Sequence, residues 1–211
     1  MCGIVGLLLK KPALYDRLGE LMVPMLIGMT ERGPDSAGMA VFGQPLPEGQ
    51  RKISVYSGLT EAGAGYDWVG LTDALNATLK VKAHTVLKGN HAIFTFEGPA
   101  DPVKAFVKQY DAKLHLLSAG RRIDLYKDIG TPAEVAQRYD FGALTGSHLV
   151  GHTRMATESA VTPDRAHPFT AGEDFCLVHN GSLSNPNGVR RMLEPRGIRF
   201  ETDNDLSLIH I

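Results

Sequence analysis

The chain has 211 residues, with 22 lysines and arginines against 23 aspartates and glutamates and a formal net charge of −1. That balance argues against a polybasic nucleic-acid binder and against an acidic solvating tail. An apolar fraction of 43% and a charged fraction of 21% suit a folded protein with a core rather than a disordered chain. No apolar run approaches the ~20 residues a bilayer-spanning helix needs, so no membrane is expected as a partner, and the charge balance leaves no nucleic acid expected either. The opening residues have no basic stretch ahead of their apolar run, unlike a secretory signal. Cys2 and Cys176 make one bridge at most. Without an export signal both are expected to be reduced, in a cytoplasmic setting.

Residues 4–9 form a short apolar run that suits a buried strand. Leu14, Leu18, Leu21, Met22, Met25, Leu26 and Met29 then repeat at helical steps. Pro24 sits inside that pattern and is expected to kink or split the helix. Arg32-Gly33-Pro34-Asp35-Ser36 breaks the pattern, and strands are expected at 37–42 and 52–56. Trp68, Leu71, Leu75 and Leu79 predict a helix, and residues 91–96 another strand. Asp101-Pro102 suits a helix start, with Val103, Phe106, Val107 and Tyr110 on its buried face. Residues 113–117 and 122–126 suggest a hairpin around Ala119-Gly120. Thr131-Pro132-Ala133-Glu134 is a capping box. Strands are expected at 147–151 and 174–179, then a short helix at 189–193 stopped near Gly197. This order, with hairpins and no strict alternation, favours an α+β protein built on antiparallel sheets. Asp203-Asn204-Asp205 opens a helical pattern five or six residues before the last residue, which suggests a piece of a longer product.

Four places carry chemistry. Removal of Met1 would put a thiol and a free α-amine on one residue, Cys2. Thiols ordinarily titrate at about 8.5 and α-amines at about 7.7–8.0, so a free α-amine is a usable base for a thiol on the same residue. The plain alternative is a small hydrophobe. His179-Asn180-Gly181 follows an apolar strand, and Asn-Gly there is a turn signal. The same pair offers a side-chain and a backbone N–H to a developing oxyanion. In Gly151-His152-Thr153-Arg154-Met155-Ala156-Thr157, Arg154 has the planar fork that holds a carboxylate. Asp203 suits either a helix N-cap or a partner for an ammonium group. His148 with His152, and Cys176 with His179, lie on expected strands at spacings that do not make a zinc cluster. No phosphate-cradling glycine loop is present. No metal and no cofactor is expected.

The order of the motifs along one chain says more than any of them alone. Met1-Cys2-Gly3-Ile4-Val5-Gly6, Arg32-Gly33-Pro34-Asp35-Ser36-Ala37-Gly38, the Gly151 to Thr157 motif, Ala166-His167-Pro168, His179-Asn180-Gly181 and Thr202-Asp203-Asn204-Asp205 follow one another. This series resembles the class II glutamine amidotransferases, members of the N-terminal-nucleophile hydrolases. The resemblance covers the first forty-odd residues and everything from about 146 onward. It implies a four-layer α/β/β/α sandwich, here with its second sheet incomplete at the C-terminal end and with an α/β segment inserted at about 49–109. It implies hydrolysis of glutamine to glutamate and ammonia. Cys2 would be the nucleophile, with Asn180 and Gly181 as the oxyanion hole. Arg154, with Thr157 nearby, would bind the substrate carboxylate, and Asp203 its ammonium.

Three departures bear on the loop that closes over glutamine. Met155 stands where the family commonly has Trp, Glu158-Ser159 where it has His-Gly, and Asn204-Asp205 follow Asp203. The Met-Cys start and the long insertion look most like the separate amidotransferase subunit of the glutamate-synthase-like and N-methylglutamate synthase group. That likeness implies an ammonia-accepting synthase partner that is flavin-dependent. The competing reading is an inactive glutamine-binding or scaffolding subunit. Retention of Cys2, Arg154, Asn180, Gly181 and Asp203 together argues against it.

Overall fold

Residues 2–58, 65–155, 166–181 and 184–197 are described in a computed structural model of the chain. Strand β1 (Gly3–Leu8) leads through a 3-10 turn (Pro12–Arg17) into helix α1 (Leu18–Ile27). The helical stripe is present, but its division falls between Arg17 and Leu18 rather than at Pro24. Helix α1 runs on through Pro24. The carbonyl that Pro24 leaves without an N–H is that of Glu20, an exposed residue within reach of water. Strands β2 (Ser36–Phe42) and β3 (Gln50–Tyr56) follow, then α2 (Trp68–Leu79), β4 (His84–Lys88), β5 (His91–Glu97) and α3 (Ala100–Tyr110). Next come β6 (His115–Gly120), β7 (Ile123–Ile129), α4 (Pro132–Arg138) and β8 (His148–Arg154). Two-residue strands β9 (Phe169–Thr170) and β10 (Cys176–Leu177) precede α5 (Pro186–Leu193). The Thr131 box caps α4 as expected, with Glu134 Oε2 accepting from the Thr131 N–H at 2.8 Å.

The strands form two antiparallel four-stranded sheets, β1-β8-β2-β7 and β4-β5-β3-β6, beside the small β9-β10 ladder. β2 lies inside the first sheet and is buried along its whole length because both faces are covered. Ala37, Met39 and Val41 pack toward Leu18, Met22 and Leu26 of α1 and Val135 of α4. Ala40 and Phe42, on the opposite face, meet Tyr56 and Leu117 of the second sheet. The far face of that sheet, with Ile53, Val55, Phe94 and Phe96, packs on Trp68, Leu71 and Leu75 of α2 and Val103 and Val107 of α3. The layers are therefore helix, sheet, sheet, helix: an α+β sandwich of the N-terminal-nucleophile hydrolase type. The stretch at 49–109 supplies three of the second sheet's four strands and the helices that cover it.

Between the sheets the contacts are partly polar. The Ser118 hydroxyl donates to Ser54 Oγ at 2.9 Å, and Ser54 Oγ also accepts the Leu125 N–H at 3.1 Å. Lys52 Nζ reaches Asp124 Oδ2 at 2.8 Å. Burial still raises the Asp124 carboxyl, more than Lys52 pulls it down. The His91 Nδ1–H donates to Asn90 Oδ1, and His91 Nε2 accepts the Lys127 N–H. Asn90, Tyr139 and Arg138 converge on the buried Asp128 carboxylate, tying the β4–β5 turn to β7 and α4.

The expected hairpin at 113–126 is not a hairpin. β6 belongs to the second sheet and β7 to the first, so the chain changes layer at Gly120-Arg121-Arg122. A corner leaves N–H groups that no ladder serves, and Asp174 serves them. Its carboxylate accepts from Arg121, Arg122 and Ile123 at 2.9, 2.7 and 3.1 Å. A Cβ on Gly120 would overlap that carboxylate. This duty also shortens the strand expected at 174–179 to β10. Asp174 adopts a positive φ of 54° and leaves the extended conformation to cap the corner. Asp174→Ala is expected to cost about 2–4 kcal/mol, because three N–H groups lose a charged acceptor together. Urea unfolding measures it, and an unchanged midpoint would mean that water replaces the carboxylate.

Candidate functional site

The first sheet's register gathers four strand ends at one edge. Gly3 lies opposite Thr153, while Ser36 lies opposite both Arg154 and Ile129. Cys2 directly precedes β1, and the ladder carried one residue further sets it against Arg154. Strand alternation puts Arg154 and His152 on the face turned toward the second sheet and Thr153 on the helix face. There the Thr153 hydroxyl donates to the Met29 carbonyl at 3.2 Å. Arg154 is nearly buried, at 8% exposure, and its carbonyl accepts the Asp35 N–H at 3.1 Å.

Asn180 arrives from the other end of the chain. Its Nδ2 donates to the Cys2 carbonyl at 2.9 Å, and Arg32 Nε reaches the same oxygen at 3.4 Å. Cys2 is half-buried and its thiol is free. Asn180 and Gly181 remain exposed. Cys2, Arg154, Asn180 and Gly181 thus meet at one end of the first sheet. Thr157 and Asp203 lie outside the described residues.

Two buried histidines, His152 and His167, lie near this end of the first sheet, and motif reading gave His152 no role beyond a spacing that does not make a zinc cluster and gave His167 none. His167 precedes a cis proline, and its ring packs on His152 with centroids 4.2 Å apart. The other side of His167 meets the edge of Phe169. Among the described residues, neither imidazole makes a hydrogen bond of normal geometry, although His152 lies against the His179 backbone. Burial, reinforced by neighbouring cations, pushes His152 down to about 4 and His167 to about 2. Both are neutral at pH 7. Their signal lay in the Gly151-His152-Thr153-Arg154 and Ala166-His167-Pro168 wording, and that of Arg32 in the Arg32-Gly33-Pro34-Asp35-Ser36 wording. The described residues hold no group of three or more His, Cys, Asp or Glu able to bind a metal. None of their helices is long and apolar enough to cross a membrane.

No protein-family model matches the chain. It is similar to the glutamine amidotransferase-like protein GlxB of Rhizobium meliloti (strain 1021), 46% identical over 207 residues. That match takes in 97% of this chain and 66% of the relative. A Methanothermobacter thermautotrophicus protein named "Putative glutamine amidotransferase" is 33% identical over 224 residues, 99% of this chain and 70% of the relative. The chain belongs to the class II glutamine amidotransferases. A glutamine--fructose-6-phosphate aminotransferase of Methanococcus maripaludis matches over a shorter span, 34% identical over 88 residues, or 41% of this chain and 15% of that enzyme. The two long matches run through the stretch at 49–109, so that stretch is shared with those amidotransferases.

The buried imidazoles set a pH dependence for the domain. His91, pushed down to about 3 by burial, joins His152 and His167. Unfolded, each binds a proton near pH 6.5. Below that pH the unfolded chain binds more protons than the fold, so stability falls as pH drops from about 6.5 toward 4. With three groups acting, the slope approaches about 4 kcal/mol per pH unit. Urea midpoints at pH 7, 6 and 5 check this, and a flat series would show that these rings are not held neutral.

Proposed function

We propose that the protein is a glutaminase that hydrolyses glutamine to glutamate and ammonia through a thioester on Cys2. Once Met1 is removed, the Cys2 α-amine takes the thiol proton and the thiolate attacks the side-chain amide carbon. The Asn180 side-chain N–H and the Gly181 backbone N–H stabilise the oxyanion that forms. The tetrahedral adduct collapses, the nitrogen takes a proton from the α-ammonium, and ammonia leaves. Water then attacks the thioester, releasing glutamate and restoring the thiol. Arg154, with Thr157, holds the substrate carboxylate, and Asp203 holds its ammonium. These contacts fix the amide over the thiol.

The observation that carries this reading is the hydrogen bond from Asn180 Nδ2 to the Cys2 carbonyl. It joins the first sheet's edge to the His179-Asn180-Gly181 segment and leaves an amide donor beside the thiol-bearing residue. The near-burial of Arg154 at the same sheet end adds a cation suited to an amino-acid carboxylate. We further propose that the ammonia passes to a synthase partner in the cytoplasm. That partner is flavin-dependent, of the glutamate-synthase-like or N-methylglutamate synthase kind.

The test is intact mass of the full-length protein before and after a glutamine-analogue electrophile, together with glutaminase kinetics. A mass without Met1 and one adduct on Cys2 are expected. Cys2→Ser should lose most turnover, since a hydroxyl is the poorer nucleophile at neutral pH. Asn180→Ala should lower kcat by roughly 10²–10³. Arg154→Ala should raise KM and spare kcat, because a head-group contact is the same in ground and transition states. Glutamine binding without turnover or adduct would instead favour a sensing or scaffolding subunit.

A further inference from the structure

Lys127 lies in the middle of β7 at 4% exposure. A lysine is rarely buried so deeply, because its ammonium must replace a full shell of water. Nζ donates to the Ala166 carbonyl at 2.9 Å and stands 4.5 Å over the centroid of the Phe169 ring. Both contacts fall on one short segment, residues 166–169. The segment is gripped on each side of the His167–Pro168 bond.

The strand register explains how it is seated. Lys127 pairs with Gly38, and Gly38 pairs with His152. One row across the first sheet therefore offers an ammonium, a gap and an imidazole. The His167 carbonyl drops into the gap, where a Cβ on Gly38 would overlap it. The His167 ring then rests on His152 at the far end of the row. His152 abuts the backbone of His179, whose neighbour Asn180 donates to the Cys2 carbonyl. Two residues beyond His152 on the same strand face is Arg154. Lys127 thus sits at one end of a packed line that finishes at the candidate site. Its charge also helps burial keep His167 neutral.

We propose that Lys127 is a positioning residue: by holding Ala166 and Phe169 it sets His167 on His152 and so fixes the His179-Asn180-Gly181 donors against Cys2. Its kinetic consequence rests on the glutaminase reading above; its structural consequence does not. An apolar group of similar length removes the desolvation cost of the buried ammonium while keeping its volume, which offsets the hydrogen bond lost at the Ala166 carbonyl. Lys127→Met therefore separates positioning from stability.

The experiment uses the full-length protein and two readouts. Side-chain NMR of the histidines reports the packing directly. In Lys127→Met the His152 and His167 signals should move, while those of His84 and His115 on the second sheet stay. Glutaminase turnover, normalised to the final stoichiometry of Cys2 labelling, should fall about 10–100-fold, the scale of a misplaced catalytic group. KM should change less than threefold and the melting temperature should hold. Lys127→Gln, which keeps an N–H donor, should recover part of the turnover. It also carries the same readings if the Met variant does not fold. Unmoved His152 and His167 signals would overturn the proposal, as would wild-type kcat in the labelled Met variant. If the wild type itself fails to turn over glutamine, the glutaminase reading falls, and the histidine signals still decide whether Lys127 sets the packing.

Discussion

The register of β8 between β1 and β2 is the constraint on which the rest depends. Gly3 faces Thr153 and Ser36 faces Arg154 across its two sides. Side chains alternate along a strand, so a slip of one residue in either ladder would turn Arg154 or Cys2 to the helix face. The register is secured by what each face buries. Val5, Met39, Val41 and Leu149 must meet α1, and moving them outward would expose much of the first core. A side chain on Gly3 would overlap Met29 and the Thr153 hydroxyl, which adds a steric stop at the site end. The geometry at Cys2 is thus paid for by packing on the opposite side of the same sheet.

Apolar and polar burial are divided between layers. The helix-facing surfaces of both sheets are mainly hydrocarbon and aromatic, with Asp128 and Thr153 of the first sheet as hydrogen-bonded polar exceptions. The space between the sheets also holds Ser54 with Ser118, and His91, while Lys52 of the second sheet reaches Asp124 of the edge strand β7. Buried polar groups contribute little net stability when paired and cost much when unpaired. They do impose one alignment of sheet on sheet, because each donor has one acceptor. Toward the Cys2 end this polar layer passes into the His152–His167 pair. The same neutral buried rings give the fold its expected sensitivity to acid.

Much of the fold was legible because its elements bury one face. The helix at 68–79, the strand at 37–42, the strand at 91–96 and the Thr131 box all carried periodic or capping signals that the structure repeats within a residue or so. β4 carried none. It is an edge strand of the second sheet, with Val86 and Leu87 on its exposed positions, so no alternation marks it. The corner at 120–123 looked like a hairpin because a local pattern cannot say which sheet receives each strand. Asp174, about fifty residues away, decides that. At the site, motif order led to Cys2, Arg154, Asn180 and Gly181. The packing of His152 on His167 was hidden, because it joins two motifs through the missing side chain of Gly38.

The proposed use of the Cys2 α-amine as a base also accounts for where Cys2 sits. An amine that takes the proton of its own thiol must be free of a preceding residue and close to the oxyanion donors. A central strand meets neighbours on both sides and would crowd a chain start. β1 is an edge strand of the first sheet, with β8 on one side and none of the described strands on the other. Cys2, just ahead of that strand, can present amine, thiol and carbonyl in different directions while the ladder from Gly3 onward holds it in register. Asn180 and Arg32 take the carbonyl. That leaves the thiol on the face it shares with Arg154, where the register and not any single side chain determines what a bound amino acid would meet.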